Sequence, residues 1–199
     1  MAKVNRTEII KAAVGLFNQN GYHATSMSDI AHAVDIKKPS LYHHFDSKEA
    51  ILLAILETGM NQLIAEITEI EASDQQCSAK LRDAIHAHAR LIASNPEGAA
   101  VFLREDRGLG DEYMKQYVAK RDEFERLFRA IVRQGIDEGV FRDMDVAITV
   151  HALLGMVNWM TRWYRPAGRL SAEQIADMFA DLFLDGLICR DGETISQVS

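Results

Sequence analysis

The sequence has little that would brace it covalently or interrupt it. Among its 199 residues there are two cysteines, Cys77 and Cys189, far apart and outside any CxxC pair. That spacing offers neither a disulfide framework nor a zinc site, and it suits a reducing compartment. Only three prolines punctuate the chain. No apolar run reaches the roughly 18 residues that a membrane span needs. The start, MAKVNRTEIIKAAVGLF, lacks the uninterrupted apolar core and cleavage site of a secretory signal. Signatures of catalysis are missing too: there is no glycine-rich phosphate loop, no G-x-S-x-G and no pair of carboxylates with a visible base. His86 and His88 are two residues apart, so on a helix they face about 200° apart and cannot share a metal. No cofactor, metal or catalytic group is expected.

What is present is helix-forming. Ala, Leu, Ile, Glu and Arg are abundant, and the chain reads as all-α. The net charge of −7 argues against nonspecific binding to nucleic acid, but its distribution is uneven. Residues 1–48 hold six Lys/Arg and four Asp/Glu, a balance of +2; residues 49–199 hold 16 against 25, a balance of −9. Four of the seven histidines also lie in the short first part.

That first part divides into three helices. The first runs from about Asn5 to Asn20, with Asn5 and Glu8 at capping-box spacing and Gly21 as a left-handed stop. The second starts at Ser26, which with Asp29 repeats the capping box. Asp35-Ile36 then forms a very short connection, and Asp tolerates the left-handed backbone that a tight turn requires. The third helix lies in DIKKPSLYHHF, with Pro39 suited to the first helical position. Leu41 and Phe45 share its inward side, while Pro39, Ser40 and His43 point away. Two helices across a tight turn, the second basic at its start and polar on its free face, make a helix-turn-helix shaped for a major groove. Lys37 and Lys38 offer phosphate contacts, and Ser40 and His43 can reach base edges. Thr25 and Ser26, at a helix start, can hold a phosphate or simply cap. Lys48 suits a backbone contact from the start of the fourth helix.

The stretch TSMSDIAHAVDIKKPSLYHHFDSKEAIL resembles the N-terminal signature of the TetR family of bacterial transcription regulators, over roughly residues 5–55. The family pattern has glycine where Asp35 stands and Ser or Thr where Lys37 stands. The resemblance implies a DNA-binding helix-turn-helix domain at 1–48 and a helical ligand-binding and dimerisation domain at 49–199. It also implies that Tyr42 packs its ring inward and offers its hydroxyl to a phosphate.

The remainder suggests six more helices: a long one leaving the head at 47–72, then 78–94, a short one at about 97–104, 110–141, an almost wholly apolar one at 144–164, and 171–189. The last carries Ile175, Met178, Phe179, Leu182, Phe183, Gly186 and Leu187 in one stripe, beside Ala172, Ala176 and Ala180. Intrachain core is one reading of it; a four-helix interface between two copies is the other, and the resemblance favours the second. Trp159 and Trp163 lie one turn apart; core packing is one reading of them, but Arg162 beside them is hard to place in a core and suits an anionic ligand with an apolar part. Phe102, Tyr113, Met114, Tyr117 and Met156 are further pocket candidates, each of which core packing alone would also explain, and Arg165 is a second cation for the polar end. The segment also resembles the branch of the family whose effectors are acyl-CoA thioesters of fatty-acid and steroid breakdown.

The sequence therefore points to a cytoplasmic, homodimeric DNA-binding regulator with no membrane association. It is expected to be a repressor released from a near-palindromic operator by a small effector such as an acyl-CoA. A regulator of an uncharged apolar compound, an activator, and a metabolite-binding helical protein or enzyme with no role on DNA are the alternatives. The charge asymmetry and the helix-turn-helix speak against the last.

Overall fold

The computed structural model describes residues 4–94, 96, 98–99, 101 and 108–188. Its helices are α1 (Arg6–Asn20), α2 (Met27–Ala33), α3 (Lys38–Tyr42), α4 (Lys48–Glu71), α5 (Cys77–Ser94), α6 (Asp111–Asp137), α7 (Val146–Asn158), α8 (Met160–Trp163) and α9 (Ala172–Leu187). Among the described residues there is no strand; one isolated bridge pairs Phe141 with Ile188. Most of the short helix expected at 97–104, with Phe102, lies outside the described residues, as do Cys189 and the polar tail.

Local chemistry sets the helix starts. Asn5 accepts from the Glu8 N–H while the Glu8 carboxylate accepts from the Asn5 N–H, both at 2.9 Å. Ser26 with Asp29 and Ser171 with Gln174 form the same reciprocal box. Each satisfies N–H groups that a helix start otherwise leaves unpaired. Gly21 has φ +81° and ψ 156°, so it stops α1 with a positive φ but outside the left-handed helical region that was expected. Asp35 has φ +53° and is the one non-glycine with positive φ among the described residues. The turn there closes through Asp35 N–H to His32 C=O at 3.1 Å and Ile36 N–H to Ala31 C=O at 3.0 Å. Helix α3 begins one residue earlier than the proline suggested, placing Pro39 second, and no side chain caps it. The long apolar helix expected at 144–164 is two pieces. At Trp159, whose backbone stays right-handed helical, the ladder tightens, with Arg162 N–H bonding Trp159 C=O at 3.0 Å.

Two hydrophobic cores result. The N-terminal core gathers Ile9, Phe17, Ile30, Leu41 and Phe45 and continues into Ile51–Leu56 of α4. The C-terminal core gathers the lower half of α4 from Met60 with α5, α6, α7 and α9. So the first two turns of α4 pack with the helix-turn-helix, although the helix itself starts at Lys48. Tyr113, Met114, Tyr117 and Val118 of α6 also join the N-terminal core, whereas Phe124 to Val132 of α6 belong to the other. Arg6 ties α1 to the end of α3: its guanidinium lies 3.9 Å from the Phe45 ring centre and donates to His44 C=O at 2.8 Å.

The stripe on α9 splits. Ala172, Ala176, Ala180 and Leu184 are buried, and small residues there let α9 approach α5 closely. Ile175 and Leu187 are buried with them, Phe179 and Phe183 are half-buried, and Met178 and Leu182 are exposed. Arg82 with Asp181 and His86 with Asp177 bridge α5 to α9 outside this contact. At the far end of the body, the Cys77 thiol donates to Glu138 at 2.8 Å, and Gln134 connects Glu138 to the buried ammonium of Lys80. Burial pushes the Cys77 thiol up to about 11, with the Glu138 hydrogen bond and charge adding to it, so it stays protonated.

The turn after α6 depends on two glycines. Gly139, at φ +69°, reverses the chain so that the Val140 and Phe141 N–H groups both bond Gly135 C=O at 2.9 Å. One side of the Phe141 ring then presses against Gly135, where a Cβ would sit 2.2 Å from the ring. Phe141 is 2 % exposed and cannot swing away. Gly135→Ala gains helix propensity, worth up to about 1 kcal/mol. Overpacking costs about 1–3 kcal/mol and should win. Urea unfolding followed by circular dichroism should show a lower midpoint for Gly135→Ala; an unchanged or raised midpoint would contradict this packing.

Candidate nucleic-acid interface and ligand cavity

The exposed face of α3 carries Lys38, Pro39, Ser40 and His43, with Lys37 just before it; Leu41 faces inward and is fully buried. The side chains of Lys37, Lys38, Ser40 and His43 make no hydrogen bond or ion pair within the chain among the described residues. They are available to a partner, as the wheel of the sequence suggested. Tyr42 departs from the inward packing that the resemblance implied: it is 42 % exposed.

Three other candidates for phosphate contact are committed to the protein itself. The Thr25 hydroxyl donates to Gly21 C=O at 2.9 Å, and the residue is 1 % exposed. Its side chain holds the α1–α2 turn and cannot reach a phosphate from there. The Ser26 hydroxyl donates to the Asp29 carboxylate at 2.7 Å. The hydrogen bonds from the Ser26 side chain and backbone hold the Asp29 carboxyl below the usual range, so the capping position presents an anion rather than a donor. The Lys48 ammonium donates to Tyr22 C=O at 2.6 Å and Thr25 C=O at 2.7 Å and lies 4.2 Å from the Tyr22 ring centre. Burial lowers its pKa. Lys48 is therefore a brace between the start of α4 and the α1–α2 turn, which corrects its assignment as a backbone contact. The reason is geometric: from the first turn of α4 the side chain meets the carbonyls of Tyr22, His23 and Thr25 in the turn between α1 and α2.

A cavity of about 440 Å³ lies where the two cores meet. That size suits a small-molecule site. Ile10 and Val14 of α1 form one wall. Ile55 to Leu63 of α4 and His88, Leu91 and Ile92 of α5 form the next. Tyr117, Arg121, Phe124 and Glu125 of α6 face them, and His151, Leu154 and Asn158 of α7 close it with Thr161. The rim is charged. Glu125 accepts from Arg129 at 2.8 Å, and its carboxylate lies 3.9 Å from Arg121 and 3.4 Å from the His151 ring.

Of the residues proposed from sequence to meet a ligand, Tyr117 lines this cavity. Tyr113 and Met114 pack on the N-terminal core instead. Met156 is not on the wall, nor are Trp159, Arg162 and Trp163. Trp159 is 62 % exposed and Trp163 is 42 % exposed, its ring meeting Phe179 edge-on at 6.4 Å. With Arg165 and Leu182, Trp163 borders a shallow groove on the outside of the body. The cavity is lined by His151, Leu154, Gly155, Asn158 and Thr161, spaced as one helical face, and Trp159, Arg162 and Trp163 fall on another face of the same stretch. The cation at the cavity is Arg121. Its signal was present: Tyr117, Arg121 and Phe124 recur at i, i+4 and i+7 on α6, an aromatic stripe interrupted by one arginine.

Comparison with known proteins agrees with this geometry. Residues 9–55 match the bacterial regulatory proteins of the tetR family, and residues 74–187 match the tetracyclin repressor-like C-terminal domain. The HTH-type transcriptional repressor KstR2 of Rhodococcus jostii is 33 % identical over 184 residues, covering 92 % of this chain and 90 % of its own. The structure of the TetR-family regulator PfmR from Thermus thermophilus is 39 % identical with a TM-score of 0.83, covering 89 % of this chain and 97 % of its own. That of AibR, solved with isovaleryl coenzyme A and operator DNA, is 28 % identical with a TM-score of 0.80, covering 89 % and 96 %. Both family matches fall on the elements that carry the exposed α3 face and the cavity, and the chain belongs to the TetR family as a DNA-binding transcriptional regulator.

Proposed function

We propose that the protein is a homodimeric repressor, acting in the cytoplasm, whose hold on a near-palindromic operator is released when an acyl-CoA thioester enters the cavity. The observation that carries this is the composition of the cavity wall. It includes Ile10 and Val14 of the helix-turn-helix head and reaches through α4 to α7 of the body. A ligand filling it touches both units and favours one arrangement of head on body; it shifts that equilibrium by its preference between the two. Relatives named as a repressor and as a protein bound to isovaleryl coenzyme A and operator DNA support the reading. The apolar wall takes the acyl part, and Arg121 at the rim takes the polar end.

On the DNA side, Ser40 and His43 read base edges, and Lys37, Lys38 and Tyr42 hold phosphates. On the body, Ile148 of α7, Trp159 just past its end, and Met178 and Leu182 of α9 are each more than half exposed. Large apolar side chains in such stripes on neighbouring helices are the material of a two-fold helical interface. It would set two heads about 34–36 Å apart, one turn of DNA.

Three measurements test this. Lys38→Ala should weaken binding to operator and to unrelated DNA alike and lower the salt slope by about one; unchanged affinity and slope in fluorescence anisotropy would remove Lys38 from the interface. Leu182→Asp, at an exposed position, should sediment as a monomer with unchanged helicity; a persisting dimer would place the interface elsewhere. Isovaleryl-CoA and dodecanoyl-CoA, titrated against the complex with the DNA upstream of the gene, should lower affinity about 5- to 150-fold for at least one chain length, the range of a coupling of about 1–3 kcal/mol. Arg121→Met should raise the thioester concentration required. If no thioester releases the wild type, the acyl-CoA assignment fails.

A further inference from the structure

Helices α1, α2 and α9 complete their own capping boxes: Glu8, Asp29 and Gln174, each three residues after the cap, accept from the cap N–H. Helix α6 has no such means. Its cap is Gly110, which has no side chain, and three residues on stands Tyr113, which packs on the N-terminal core. The acceptor comes from another helix instead. The Gly110 N–H donates to the Glu49 carboxylate of α4 at 3.2 Å. Glycine suits that approach, because a Cβ at 110 would crowd the Glu49 Oε2 at 3.0 Å. The carboxylate also stands at the positive end of the 27-residue α6.

Glu49 follows Lys48, whose ammonium grips the α1–α2 turn. Two neighbouring residues of α4 therefore reach in different directions, one to the head and one to the start of α6. Tyr22 lies between these ties, with its ring 4.2 Å from the Lys48 ammonium and packed against Gly108. Tyr113, Met114 and Val118 of α6 add apolar contact with the same core. Apolar contact is non-directional and tolerates sliding. A hydrogen bond does not, since it weakens steeply as its angle and distance change.

We propose that Glu49 is a positioning residue for DNA binding: its bond to the start of α6 fixes the angle at which the helix-turn-helix head stands on the body. The side chain needs no contact with DNA to do this. Heads already held at one angle lose less freedom when they meet two grooves together, and that loss is part of the cost of binding. The inference rests on the two-headed dimer proposed above and on no effector.

Glu49→Ala and Glu49→Gln both remove one negative charge, so comparing them separates the bond from any change in attraction to DNA. In fluorescence anisotropy with the DNA upstream of the gene, well below the unfolding midpoint, Glu49→Ala should bind about three- to tenfold more weakly than Glu49→Gln, which keeps an acceptor in place. Unrelated DNA, held through phosphates alone, should not distinguish the two. Adding Gly110→Ser to Glu49→Ala gives α6 a cap of its own, in space that the shorter side chain leaves. The double variant should regain thermal stability and none of the affinity for upstream DNA. Spin labels at the exposed positions Lys11 and Asp137 of one chain, diluted with unlabelled protein, should show a wider distance distribution in Glu49→Ala than in Glu49→Gln. Equal widths, equal or tighter binding of upstream DNA by Glu49→Ala, or affinity that returns together with stability in the double variant overturns the proposal and leaves Glu49 a cap for α6. The widths are measured within one chain, so they decide even if the upstream DNA is not bound or the Leu182→Asp result removes the proposed dimer.

Discussion

Helix α4 belongs to two cores at once, and much of the remaining structure follows from that. Its 24 residues place Ile51 to Leu56 among the side chains of the helix-turn-helix and Met60 to Ile67 among those of the body. An α-helix rises about 1.5 Å per residue and resists bending in the middle, where every N–H is paired. A displacement at one end is therefore passed to the other with little loss. The Lys48 brace fixes the upper end to the α1–α2 turn, so the head does not pivot freely on the helix. Helix α6 repeats the plan from the other side, with Tyr117 in one core and Phe124 in the other.

The cavity sits at the level where α4 passes from one core to the other, and this explains its mixed character. Neither core closes completely over the gap between them, so apolar walls from both face an empty volume. Polar groups at its borders hold one another, as in the cluster of Glu125 with Arg129 and His151. The cavity is thus a consequence of joining two cores through one helix, with a few polar groups at its border.

Much of the head could be read from sequence because its determinants are local. Capping pairs three residues apart, an Asp at a left-handed turn and a proline near a helix start all act within one turn of chain. Lys48 could not be read this way, since the carbonyls it binds lie 23 to 26 residues earlier and come near only after the head folds. The body shows a second limit. Periodicity reveals that a face is apolar, not what covers it. On α9 the alanines turned out to face α5, and Met178 and Leu182 to face outward. The pair Trp159 and Trp163 drew attention as a ligand box because aromatic rings around an arginine look alike in a pocket and on an exposed face. Arg121 is hard to single out in sequence because α6 is charged along most of its length, and the one arginine on its aromatic side does not stand out among the rest.

The segment before α6 ties the body back onto the head. Gly108 lies so close to Tyr22 that a Cβ there would come within 2.6 Å of the ring, and the Gly110 N–H donates to Glu49 at 3.2 Å. The aromatic residue that ends the α1 turn is thus packed by a stretch of chain more than eighty residues later. Domain shuffling within the family would meet this contact as a barrier. A chimera joined at residue 48 would bring a foreign surface against Gly108 and a foreign half of α4 into the upper core. An exchange that respects the packing has to carry the first two turns of α4 and the stretch around 108–110 together, so the packing unit of the head is discontinuous in sequence.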